Sequence, residues 1–129
     1  MTSSARLNYP PPNDLAAAGL RTFFRIAERW HLSEPQQVAI LGLEGPEQLS
    51  DLKATNPPPI SRDTLERISY VFGIFKAINT LLPVPERADG WIRAANSEPL
   101  FGGWTPLDRM TTGNECDLRV VRQYLDAEL

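Results

Sequence analysis

Apolar side chains recur at three- and four-residue intervals along most of the chain, and no run alternates apolar with polar over more than a few positions. That period belongs to helices, so the sequence predicts an all-α fold, a small helical bundle. A first helix is expected from Asp14 to His31, where Leu20, Phe23, Phe24, Ala27 and Trp30 share a face. Ser33-Glu34-Pro35-Gln36 has the form of a capping box with proline in the first turn. It predicts a short helix over Glu34–Leu41 that Gly42 stops. Gly45-Pro46 starts another, Pro46–Ala54, which turns Leu49 and Leu52 inward. It fades by Asn56, because Pro57-Pro58-Pro59 cannot continue a helix.

Ser61 is the expected cap of the longest helix, Arg62 to about Leu82. Leu65, Ile68, Val71, Phe72, Ile74, Phe75, Ile78, Leu81 and Leu82 cover too much of its circumference for one buried face, so it should pack on two sides. Pro83 and Pro85 then break the chain and mark the expected lobe boundary. Beyond them a short helix carries Trp91 and Ile92 to about Asn96. Thr105-Pro106-Leu107-Asp108 repeats the cap, proline and acid of a helix start. Gly113 closes that helix, and Asn114 caps a last one bearing Leu118, Val121 and Leu125, with Val120 and Tyr124 beside them. The expected organisation is a flexible arm over 1–13, with its Tyr9-Pro10-Pro11-Pro12 run, an N-terminal lobe over 14–82 that includes the long helix, and a C-terminal lobe over 83–129.

Composition narrows what such a fold can do. A chain of 129 residues, 42% apolar and 22% charged, has the material for one domain or two small lobes on a shared core. A net charge of −3 argues against a general polyanion binder but leaves room for a local basic face. The single cysteine, Cys116, excludes an internal disulfide and fits a reducing compartment. With neither a secretory signal nor an apolar run of membrane-spanning length, the expected location is the cytoplasm.

Enzyme chemistry lacks its parts. His31 and Cys116 fall in different lobes, which leaves no Cys–His pair and no zinc cluster. His31, at a helix end, suits the capping of carbonyls, and Cys116, in a first turn, suits a small packed residue. Gly102-Gly103 has neither the lysine nor the strand-loop-helix setting of a phosphate loop. No catalytic residue, metal or cofactor is expected.

Two stretches carry more. The helices at Glu34–Leu41 and Pro46–Ala54, joined by Gly42-Leu43-Glu44-Gly45, have the lengths of a helix-turn-helix. Ala39 is small where the two approach, and Val38, Leu49 and Leu52 fall at core positions. Candidate DNA contacts are Gln36, Gln37, Gln48, Ser50 and Lys53, with Arg62 beyond the prolines. Glu47 and Asp51 oppose them, and residues 14–82 hold seven Lys and Arg against eight Asp and Glu. DNA binding would therefore rely on dimerisation to add phosphate contacts; a helical hairpin kept as scaffold is the alternative. The second stretch is Leu100-Phe101-Gly102-Gly103-Trp104. Rings beside freely bending backbone suit an interface, and Thr105-Pro106 pins the loop. The alternative is that Phe101 and Trp104 fill the core of a small lobe, as Trp91 is expected to do.

The whole order of elements resembles the Xre/MbcA/ParS-type antitoxins of bacterial type II toxin–antitoxin pairs. The resemblance runs from about Leu15 to the end, through SRDTLERISYVFGIFKAINTLLP, GWIRAAN, PLFGG, TPLDRM and VVRQYLDAEL. Its most specific part is Trp91-Ile92, Asn96, Leu100-Phe101-Gly102, Pro106-Leu107-Asp108 and Gly113 in that order. It implies an Xre-like helix-turn-helix lobe joined by the long shared helix to a toxin-binding lobe. The implied partner is a RES-domain toxin that consumes NAD, whose active-site entrance the antitoxin covers; the complex would also bind operator DNA and repress its own operon. On that resemblance the toxin-binding residues are Phe101, Gly102, Trp104, Pro106, Leu107, Met110, Tyr124 and Leu125, and the chain itself is no enzyme. A homodimer is expected, since the long helix carries more apolar surface than a monomer of this size covers. A free-standing dimeric helix-turn-helix regulator is the runner-up, and an adaptor with neither activity a third reading.

Overall fold

A computed structural model describes residues 12–129, among which there are seven helices and no strand. They are α1 (Pro12–Arg29), α2 (Glu34–Leu41), α3 (Pro46–Leu52), α4 (Arg62–Leu81), α5 (Pro85–Trp91), α6 (Pro106–Met110) and α7 (Glu115–Glu128). The expected arm lies outside the described residues, except that Pro12 and Asn13 already belong to α1.

The long helix α4 is the axle, packed against α1 on one side and α7 on the other. Its buried residues Ile68, Val71, Ile74, Ala77 and Ile78 serve both contacts, as the breadth of its apolar stripe requires. The stripe is wider still. Phe72 is 54% exposed and Leu65 40%, leaving part of it uncovered between the two packed faces.

Local chemistry sets most helix ends. The Ser33 capping box is complete: its hydroxyl accepts from the Gln36 N–H, and the Gln36 side chain accepts from the Ser33 N–H at 2.8 Å. Gly42 ends α2 at φ 70°, with its N–H on the Ala39 carbonyl and the Leu43 N–H on that of Val38. This is the Schellman arrangement. Two side chains of α4 close over the same helix end. The Thr64 hydroxyl donates to the Leu41 carbonyl at 2.8 Å, and Arg67, buried and paired with Asp63 at 2.9 Å, donates to the Ala39 carbonyl at 3.3 Å. A Cβ on Gly42 would meet the Arg67 guanidinium at 2.6 Å, so the position is closed to side chains twice over.

α1 stops at Arg29 rather than His31, and two further ends differ from expectation. α3 stops at Leu52 rather than Ala54, because the Lys53 N–H is shared between the Leu49 and Ser50 carbonyls and the chain tightens into a turn. α5 stops at Trp91 rather than near Asn96. The Ile92 carbonyl is taken by the Leu107 N–H at 2.8 Å, and the Asn96 N–H turns to the Trp104 carbonyl.

The lobes are tied by arginines. Arg29 on α1 pairs with Asp89 on α5 at 3.1 Å, and its guanidinium lies 5.6 Å from the Phe75 ring centre. Arg93 donates to the Trp30 and His31 carbonyls, at 2.5 and 2.8 Å. The capping expected of His31 therefore falls to a residue of the other lobe, while His31 itself is exposed at φ 53°. Cys116, expected to be packed, is exposed.

Candidate partner-binding site

The loop between α5 and α6 is built to hold one side chain outward. Its framework is Asn96, whose N–H reaches the Trp104 carbonyl at 3.0 Å and whose carbonyl accepts from Gly103 at 2.7 Å. The Asn96 side-chain oxygen accepts from the Glu98 N–H at 3.0 Å, and the Glu98 carbonyl accepts from both Phe101 and Gly102 at 2.9 Å. Gly102 at φ 56° and Gly103 at φ 94° occupy the left-handed region consecutively, which other residues adopt only at a penalty. The turn they make reverses the direction of successive side chains.

Phe101 and Trp104 consequently part company. Phe101 is 3% exposed, its ring edge-on to Trp91 at 5.8 Å and to Tyr124 at 5.4 Å. Trp104 is 70% exposed. Leaving so large a ring in water forgoes a substantial burial energy, and the loop that presents it is held by backbone hydrogen bonds rather than left slack. The far side is secured too: Thr105 and Asp108 form a reciprocal capping box at 3.0 Å each way, and Arg109 donates to the Leu100 carbonyl at 2.8 Å while pairing with Asp117 at 2.7 Å. Burial alone would raise the Asp117 carboxyl, but bonds from Thr112, Arg109 and Asn114 outweigh it and hold the group below the usual carboxylate range.

The other residues expected here divide by burial. Gly102 is exposed beside Trp104, and Tyr124 is half-buried. Pro106, Leu107, Met110 and Leu125, like Phe101, lie in the core of the C-terminal lobe. In the free chain these five are buried rather than displayed, because α6 is short and turns its apolar side onto α7. Trp91, expected in the core, is half-buried and stands near-parallel to Tyr124, 15° between planes with ring centres 6.5 Å apart. Desolvation first, then the carboxylates of Glu98 and Glu128, push the Tyr124 phenol above its ordinary pKa. Arg109 and Arg93 were missed in the sequence because their partners are remote carbonyls, for which a lone arginine gives no signal.

The helix-turn-helix candidates are scattered more widely. Ser50, Lys53 and Arg62 are exposed. Gln36 and Gln48 each have their side-chain oxygen engaged by a backbone N–H of the preceding turn, Gln36 accepting from Ser33 at 2.8 Å and Gln48 from Glu44 at 2.9 Å, which leaves mainly the amide hydrogens for a ligand. Gln37 differs from the other candidates: it is 7% exposed, and its amide donates to the Leu32 carbonyl at 3.0 Å at the α1–α2 junction. The exposed side of α3 is acidic: Glu44, Glu47 and Asp51 line a shallow hollow with Gln48. Lys53 sits apart from them, with its ammonium 5.5 Å from the Phe24 ring centre.

Among the described residues no three His, Cys, Asp or Glu side chains are grouped to hold a metal, and no helix is long and apolar enough to cross a membrane.

Comparison with known proteins covers nearly all of this framework. Residues 12–73 match the family model for the antitoxin Xre-like helix-turn-helix domain. Residues 77–128 match that for the antitoxin Xre/MbcA/ParS C-terminal toxin-binding domain. The short gap between the two stretches, 74–76, falls inside α4. The uncharacterized protein y4oB of Sinorhizobium fredii (strain NBRC 101917 / NGR234) is 40% identical over 129 residues, spanning 99% of this chain and 98% of its own.

Proposed function

Because this chain belongs to the Xre/MbcA/ParS family of antitoxins, we propose that it inhibits a cognate NAD-consuming RES-domain toxin by covering the entrance to the toxin's active site. One observation supports the surface: within the toxin-binding domain, Trp104 is held out into solvent by a loop with several backbone hydrogen bonds. An exposed, rigidly presented tryptophan is the side-chain type that dominates interface energetics. Gly102, Trp104 and Tyr124 form the contact, and Phe101, Pro106, Leu107, Met110 and Leu125 hold them in position. The test is co-expression with the product of the adjacent reading frame, followed by an NAD-consumption assay on the toxin with and without this chain. Co-purification with loss of NAD consumption supports the reading. A neighbour that consumes no NAD, or consumes it equally in the presence of this chain, overturns it.

Operator binding by the N-terminal lobe is the second part of the proposal. Gln36, Gln48, Ser50, Lys53 and Arg62 supply the contacts, but Glu44, Glu47 and Asp51 oppose phosphates, so a lone chain binds weakly. Lys53→Glu should abolish retention of the promoter fragment in a gel-shift assay and leave toxin binding unchanged. Since log K falls with log salt in proportion to the phosphates neutralised, the wild-type salt slope should be shallow. Retention unchanged in Lys53→Glu would remove α3 as the reading helix.

A homodimer doubles those few contacts. Its support is the uncovered part of the α4 stripe at Leu65 and Phe72. Light scattering at micromolar concentration should give at least a dimer, and Phe72→Lys should return it to a monomer. A monomeric wild-type chain would refute the arrangement.

A further inference from the structure

Beside Trp104 the C-terminal lobe has a second feature, a cleft of about 180 Å³ lined by Ile78, Leu81, Leu82, Trp91, Tyr124, Leu125 and Glu128. Its polar character is lopsided. Aliphatic side chains from the end of α4 make one wall, two aromatic rings make another, and the single charged lining group is a carboxylate, Glu128.

The two aromatic residues of the lining are paired with each other. Trp91 and Tyr124 lie 15° from parallel at 6.5 Å, near the wide end of the range for paired rings. Phe101 stands at 85° to each of them and backs the pair from the core, outside the lining of the cleft. Being buried, it is fixed there. A second carboxylate, Glu98, acts on the Tyr124 hydroxyl from the loop, so that two acids flank the rings and no lysine or arginine lines the cleft.

Aromatic faces carry the negative end of a quadrupole and attract cations within about 6 Å, more strongly when water is excluded. Carboxylates at the rim add a full charge of the same sign. An aliphatic wall accommodates the methylene stem of a long basic side chain. Each element of the cleft is thus matched to one part of an arginine or a lysine. An acidic side chain would be repelled by Glu128, and an apolar one would gain nothing from it.

We propose that this cleft receives a cationic side chain, arginine or lysine, from the toxin. The inference rests on the antitoxin reading for its partner, and it adds what that partner must present: a basic residue at the contact surface. Trp91 and Tyr124 bind the cation, and Glu128 pairs with it at the mouth.

The test has two arms. In the first, the full chain alone is titrated with N-acetyl-arginine amide while its indole N–H resonances are followed by NMR; N-acetyl-citrulline amide, neutral and nearly isosteric, is the control. The Trp91 resonance should move with the arginine compound and stay still with citrulline. Equal movement with both would mean an apolar cleft with no preference for charge, and no movement with either would mean no cation site; each overturns the proposal. In the second, dissociation constants for the toxin are measured for Glu128→Gln, Tyr124→Leu and Tyr124→Phe. Tyr124→Leu should weaken binding by about 2- to 30-fold, the range a cation–π contact spans, Glu128→Gln by up to about 5-fold, as for an exposed ion pair, and Tyr124→Phe should bind like the wild type. Glu128 is exposed, so its substitution tests the idea even if Tyr124→Leu disturbs folding. Wild-type affinity in both Glu128→Gln and a folded Tyr124→Leu overturns the cation site while leaving the antitoxin reading intact. A toxin that fails to bind even the wild-type chain fails that reading instead.

Discussion

Trp104→Ala should free the toxin while leaving the antitoxin folded. The ring is 70% exposed, so removing it strips almost no core contact and opens no cavity. What holds the loop is backbone: the Asn96–Trp104 and Asn96–Gly103 hydrogen bonds use main-chain groups that alanine retains. Far-UV helicity and the melting transition should therefore match the wild type. At the centre of an interface, truncating a tryptophan anchor costs about 2–4 kcal/mol, or roughly 30- to 1000-fold in dissociation constant. With free antitoxin at about ten times the wild-type Kd, roughly nine-tenths of the toxin is occupied by the wild type and at most about a quarter by the variant. A titration calorimetry experiment paired with a thermal scan measures both halves. Wild-type affinity in a folded Trp104→Ala would move the interface away from this loop.

Chain-local features were the legible part. Both capping boxes, at Ser33 and at Thr105, involve residues three apart whose side chains satisfy each other's backbone, so sequence spacing alone identifies them. Gly42 and the proline runs end helices by their own covalent geometry. The width of the α4 stripe foretold two packing partners, because circumference is a property of that helix alone. What escaped detection depends on distant neighbours. Arg67 finds the Ala39 carbonyl 28 residues away, and Arg93 the Trp30 carbonyl 63 residues away. Neither arginine differs in pattern from a solvated one.

The candidate site was legible in composition but not in direction. Leu100-Phe101-Gly102-Gly103-Trp104 stands out for its rings and glycines, yet two successive left-handed glycines decouple the side-chain directions on either side. No periodicity survives such a turn to say which ring goes in. The same limit applied to α6, where the sequence shows Pro106, Leu107 and Met110 as apolar but cannot tell a buried face from an interface. Gln37 shows the reverse case. Its amide type suggested base contact, whereas its position on α2 turns it toward the Leu32 carbonyl.

Phe101→Ala should do by unfolding what Trp104→Ala does by lost contact. Phe101 is 3% exposed and meets both Trp91 and Tyr124 edge-on, and it packs within the same core as Ile92, Leu118 and Leu125. Removing a buried phenyl ring costs about 3–5 kcal/mol, the transfer energy plus that of the cavity left behind. For a chain of this size such a loss lowers Tm by on the order of 10–20 °C. Because α7 and the Trp91–Tyr124 pair both lean on this ring, the toxin-binding face should loosen with it. Inhibition would then fail in parallel with the fold and return in part on cooling, whereas the failure of Trp104→Ala is present at every temperature where the protein is folded. Phe101→Leu, which keeps most of the volume, should recover most of both stability and inhibition. If Phe101→Ala instead melts like the wild type and still releases the toxin, the ring must leave the core on binding, and the two aromatics flanking the glycine pair act on the partner together.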